Sequence, residues 1–131
     1  MTHDNAAVSA DLVPYDAIIT EVRDLASLLE GALLAFFLDP SGQIILKVAL
    51  DEGTRHVDEL FVRHLLALIG EIEAPTVVLA SVRPGGHARR IDRLLFQELQ
   101  RRLTGTPSTL ADLLVIGPDR CWSAAGRRRV G

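Results

Sequence analysis

Few residues of this 131-residue chain carry chemistry beyond packing: four histidines, one cysteine and a run of arginines. They are densest in the segment 81–92, which holds Ser81, Arg83, Gly85, Gly86, His87, Arg89, Arg90 and Asp92. Arginine forks next to glycines, just before a helix N-terminus, suit a phosphate or carboxylate. Arg83, Gly85, Gly86, His87, Arg89 and Arg90 are therefore the candidates for an anion site. No Lys-Ser/Thr pair follows the glycines, so this is not a Walker loop, and no dinucleotide fingerprint is present.

Metal and nucleophile chemistry find less support. His3, His56, His64 and His87 form no His-x-His, no His-Glu-x-x-His and no set with a cysteine pair, so no metal, cofactor or catalytic residue is predicted. Ser81, His87 and Asp92 are close in sequence, but a serine nucleophile needs a geometry that spacing does not supply. Ser81 reads instead as a small residue that packs or hydrogen-bonds locally. His56 and His64 read as ordinary surface or half-buried histidines. Cys121-Trp122 reads as core, because only Arg120 is near in sequence to lower the thiol pKa.

The elements that position this segment follow from hydrophobic period. Residues 76–82, Thr-Val-Val-Leu-Ala-Ser-Val, form a short β-branched run stopped by Pro84-Gly85-Gly86; Ile91, Leu94, Leu95, Leu99 and Leu103 then recur at helical spacing. A buried strand, a sharp loop and a helix over 88–103 are expected. Upstream, Ile18, Ile19, Val22, Leu25, Leu28 and Leu29 mark an amphipathic helix over 16–30, with Pro14 at its start and Gly31 after it. Residues 32–38 and 43–50 are apolar runs around Asp39-Pro40-Ser41-Gly42 and predict a hairpin, its first strand covered on both faces. A helix over 56–72 has Asp58 and Glu59 near its start, where they suit the dipole. Residues 104–108 are a loop, 113–116 a strand, and 120–124 a last strand.

The order helix, strand, strand, helix, strand, helix, strand, strand predicts an α/β (α+β) domain, a mixed sheet covered by helices in layers. Residues 14–125 form the domain, 1–13 a flexible N-terminus and 126–131 a frayed basic tail. No basic and apolar leader and no spanning apolar run is present, so a cytoplasmic protein off the membrane is expected. Charge is segregated. Residues 1–75 hold 4 basic and 13 acidic residues, a net −9, and residues 76–131 hold 10 and 4, a net +6. The halves either neutralise each other on folding or leave a basic face for an anionic partner. With a net charge of −3 and 5% aromatic residues, nucleic acid is disfavoured as a partner. A small anionic ligand stays open, and the high apolar content favours a homodimer or a protein partner.

Three pieces resemble the JAB (MPN) superfamily, and most of all the domain of bacterial RadC-type proteins. They are Leu34-Ala35-Phe36-Phe37-Leu38-Asp39 with its return strand and Glu52-Gly53-Thr54; Phe61 to Ile69 with Ala74 and Val77-Val78-Leu79-Ala80; and Ala111 to Gly117 with Trp122-Ser123. The resemblance spans roughly residues 32–125 and implies that family's fold. Its metal loop, His-x-His-Pro-x-Gly followed by an aspartate, here reads Ser81-Val82-Arg83-Pro84-Gly85-Gly86, with Asp92 in the aspartate's place. Lys47 or Val48 stands near the expected glutamate. Ser81, Arg83 and Asp92 are thus degenerate metal-site positions, since a protonated arginine cannot ligate zinc. The resemblance, with the metal ligands replaced, implies a non-catalytic protein-binding or scaffolding domain, expected to act through self-association or a protein partner. Two alternatives stand beside it. One is an anion- or nucleotide-binding regulatory domain built on the 83–90 loop. The other is a roadblock-type dimerisation domain, which the strand–helix–strand after residue 76 fits less well.

Overall fold

Two strands without alternation form the centre of the sheet, because such a run tolerates no solvent on either face. In the computed structural model these are β1 (Ala32–Leu38) and β3 (Thr76–Val82), antiparallel neighbours buried at every residue. The structure describes residues 13–25, 31–52 and 58–130. Among them the other elements are α1 (Tyr15–Leu25), β2 (Ile44–Glu52), α2 (Glu59–Ile72), α3 (Arg90–Leu103), β4 (Thr109–Ile116), β5 (Cys121–Ser123) and β6 (Arg128–Val130).

The sheet runs β2-β1-β3-β4-β5-β6. Only β3 and β4 pair in parallel, and α3 makes the crossover that a parallel pair requires. The period of two along each strand divides the core. Leu33, Ala35, Phe37, Val77, Leu79, Leu113 and Val115 face α2 and α3, with Leu65, Ile69, Leu95 and Leu99 on them. Leu34, Phe36, Leu38, Val78, Ala80, Leu114 and Ile116 meet Ile18, Ile19 and Val22 of α1 on the opposite face. The result is a mixed sheet between helices on both faces, and the first strand of the hairpin is covered on both sides as expected.

Local signals place most boundaries. Asp39 accepts from the Ser41 and Gln43 backbone N–H groups at 2.9 and 3.0 Å and closes the hairpin turn. Asp58 caps α2 by accepting from the Phe61 N–H at 2.9 Å. Glu73 ends α2 in the left-handed region, φ 59°.

Several expectations need correction. The third helix starts at Arg90, not 88, and β4 starts four residues earlier than the apolar run 113–116, at Thr109. Val13, assigned to a flexible terminus, is buried. The basic tail is not frayed over 128–130: those residues form β6, paired with β5 through Cys121–Val130, Trp122–Arg129 and Ser123–Arg128. The sheet gains a sixth strand. The expected helical segment 26–30, the first residues of the second helix at 56–57, His3, His56 and residues 1–12 lie outside the described residues.

Candidate functional site

The end of β3 and the first turn of α3 bring Ser81, Arg83 and Asp92 together. Asp92 is 1% exposed. Its carboxylate accepts from Arg83 Nη2 at 3.0 Å and Arg83 Nε at 3.3 Å, from Ser81 Oγ at 3.1 Å and from the Arg89 backbone N–H at 3.0 Å. Each guanidinium nitrogen faces a different carboxylate oxygen, the two-pronged geometry in which an arginine fork matches a carboxylate. A desolvated carboxylate is costly unless a charge partner and hydrogen bonds compensate it, and here both are present. The three positions that the resemblance ties to a metal do converge, and a fixed cation already sits against the carboxylate.

These donors do not suit a metal. Serine is a weak ligand, Arg83 has no lone pair to offer, and its positive charge repels a cation. Among the described residues, no three His, Cys, Asp or Glu side chains group closely enough to hold a metal ion. Nor does a nucleophile assemble: the Ser81 hydroxyl donates to Asp92, while His87 Nε2 lies 2.8 Å from Arg120 Nη1 on the exposed side of the loop.

The glycines of the loop serve a purpose different from approach to a ligand. Gly86 has φ 67°, and a Cβ there would fall 2.7 Å from Arg120 Cβ and 2.9 Å from the Arg120 carbonyl. A Cβ on Gly117 would fall 2.7 Å from the Gly86 nitrogen and 2.8 Å from the Arg83 carbonyl. The 83–86 loop therefore packs backbone to backbone on the 117–120 turn; Arg83 N–H donates to the carbonyl of Ile116, the residue before that turn, at 2.9 Å, and Gly86 N–H closes the loop on the Arg83 carbonyl at 3.0 Å. Of the six anion candidates, Arg83 is engaged by Asp92, and the Gly86 and Arg89 N–H groups are engaged in the loop and cap. The side chains of His87, Arg89 and Arg90 are exposed.

No protein-family model matches this chain, and no curated protein matches it either.

A second polar centre escaped the sequence reading. Asp112, buried in β4, accepts from Tyr15 Oη at 2.9 Å, from the Leu113 and Ala125 N–H groups at 2.8 and 3.0 Å, and from Ser123 Oγ. Ser123 Oγ in turn accepts from the Gly126 N–H at 3.0 Å. The carboxylate thus ties α1 and the β5–β6 turn to the sheet. Burial, with the Asp112 charge beside it, pushes the Tyr15 phenol up to about 12. The one signal in sequence was a charged residue inside an apolar run.

Cys121 is fully buried, and burial pushes its thiol up to about 11, against a smaller opposing effect of Arg23. The cation that bears on it is Arg23, not the Arg120 next to it in sequence. Exposed His64 stands apart from both polar centres. The two charge halves meet in the Arg102–Glu59 ion pair, where the guanidinium lowers the Glu59 pKa. Arg89, Arg90, Arg93, Arg120, Arg127, Arg128 and Arg129 all remain exposed after folding. Among the described residues, no helix is long and apolar enough to cross a membrane.

Proposed function

We propose that this chain is a non-catalytic, JAB/RadC-like binding module that acts by self-association, without a metal. The observation that carries this reading is the pairing of Arg83 with the buried Asp92 carboxylate, 3.0 Å apart, at the positions that the resemblance ties to the metal. A guanidinium there supplies the positive charge that the carboxylate needs and leaves no vacancy for a cation. The α3 crossover between the third and fourth strands supports this layout over the roadblock-type alternative.

Self-association is supported by the free edge of the sheet. Among the described residues β2 pairs only with β1, and Ile45 and Leu46 on it are 54% and 43% exposed. A long apolar edge strand is a template for another strand. A two-fold antiparallel pairing centred on Val48 would set Val48 opposite Val48, Leu46 opposite Leu50 and Lys47 opposite the small Ala49. That register keeps Leu46, Val48 and Leu50 in one row and the lysines off each other.

Metal analysis of protein purified without chelator, with light scattering, tests the reading. The expected result is substoichiometric zinc and a dimer that Val48→Lys converts to monomer. Stoichiometric zinc would reopen a hydrolase. A wild-type monomer at micromolar concentration would remove the self-association.

A further inference from the structure

A groove between α3 and the β5–β6 end encloses about 220 Å³ and is lined by Arg93, Phe96, Gln97, Trp122 and Arg127, among others. Among the described residues no carboxylate lines it. Its floor is aromatic, with Phe96 buried and Trp122 half-buried, and its lips are two arginines and an exposed Gln97 amide. Among the described residues, no carboxylate lies within ion-pair distance of Arg93, Arg127 or Arg129.

Two backbone observations point to the same groove. Arg127 sits in the left-handed region at φ 51°, a conformation that favours glycine, although Gly126 is the adjacent residue. Strain of this kind clusters where a side chain is held for a purpose. The β5–β6 register also sets Arg129 opposite Trp122, and opposed residues of an antiparallel pair share a face. The basic tail is a strand that brings a third guanidinium to the side of the sheet where Trp122 lies.

We infer that this groove binds a mononucleotide-type ligand, with its base on Trp122 and its phosphate between Arg93 and Arg127. Arginine forks match phosphate oxygens, and an indole face stacks with any flat base. The Gln97 amide offers a donor and an acceptor to the base edge. The net charge of −3 on the whole chain works against a long polyanion. This site is separate from the 83–90 loop and stands whether or not the chain self-associates.

Trp122 is the one tryptophan of the chain, so its fluorescence reports on the groove directly. Titration with adenosine monophosphate is expected to quench it saturably, and inorganic phosphate at the same concentration is not. Arg127→Gly, which suits the backbone there and so keeps the fold, and Arg93→Gln are each expected to weaken binding at least several-fold. No quenching at millimolar nucleotide, or affinity unchanged in both variants, would overturn the site. Equal binding of phosphate alone would overturn the role of the base. A single-stranded oligonucleotide that binds far more tightly per nucleotide would replace the small ligand with nucleic acid.

Discussion

The Arg83 guanidinium and the Asp92 carboxylate form a two-pronged pair across the β3–α3 junction, with the carboxylate 1% and the guanidinium 15% exposed. Arg83→Ala strands a buried charge. We expect it to cost about 2–4 kcal/mol, below the range for a fully enclosed pair because the guanidinium keeps some solvent. Arg83→Met combined with Asp92→Leu should recover part of that loss. Urea denaturation of the single and double variants measures both, and equal stability of Arg83→Ala and the wild type would contradict the compensation argued here.

Glycine substitutions separate two situations. Gly86→Ala and Gly117→Ala insert a Cβ at 2.7 Å from the opposing loop, where backbone atoms or a Cβ rather than a flexible tip must yield, and each should lose about 1–3 kcal/mol. Gly70 lies within α2 with open space around it, so Gly70→Ala should gain about 0.5–1 kcal/mol. Thermal melts of the three variants should move in these opposite directions.

Asp112→Ala removes the acceptor that Tyr15, Ser123 and two backbone N–H groups share. Each buried donor left unsatisfied costs about 1–3 kcal/mol. The loosened β5–β6 hairpin should then open to trypsin at Arg127, Arg128 or Arg129 before the rest of the chain. Limited proteolysis read by mass spectrometry checks the order of cleavage.

Alkaline pH should destabilise the fold. The Tyr15 phenol is raised from 10.0 to about 12 and the Cys121 thiol from 9.0 to about 11. For a group whose folded-state pKa is raised, its contribution is intact below the unfolded value and is lost as pH climbs through the folded value. Stability should therefore hold to about pH 9 and fall between about 9 and 12. Tyr15→Phe should flatten the upper part of that fall in a melting series, and a thiol reagent at pH 8 should reach Cys121 only after unfolding.

How much of this was legible follows from particular residues. β1 and β3 read directly, because seven consecutive residues without a charge leave one interpretation. The start of β4 did not, since Asp112 interrupts the apolar run and its burial depends on Tyr15, 97 positions away. β6 was invisible because Arg128-Arg129-Val130 has the composition of a tail and is held as a strand only by β5. At the site, Ser81, Arg83 and Asp92 are close enough in sequence for their meeting across a strand–loop–helix to be read there, but the role of Gly86 could not be. Its reason lies in Arg120 and Gly117, and sequence spacing says nothing of which loops touch.

The strand order also sets when each contact can form. Of the described elements α1 is made first, but the sheet face that takes its apolar stripe of Ile18, Ile19 and Val22 includes Leu114 and Ile116 of β4, the strand it contacts most and the last of the three central strands to emerge. The polar anchors of α1 come late as well: Tyr15 bonds to Asp112 and Arg23 to the Gly117 carbonyl, 97 and 94 positions downstream. This helix is thus given both its seat and its orientation late, when β4 and the β4–β5 turn leave the ribosome.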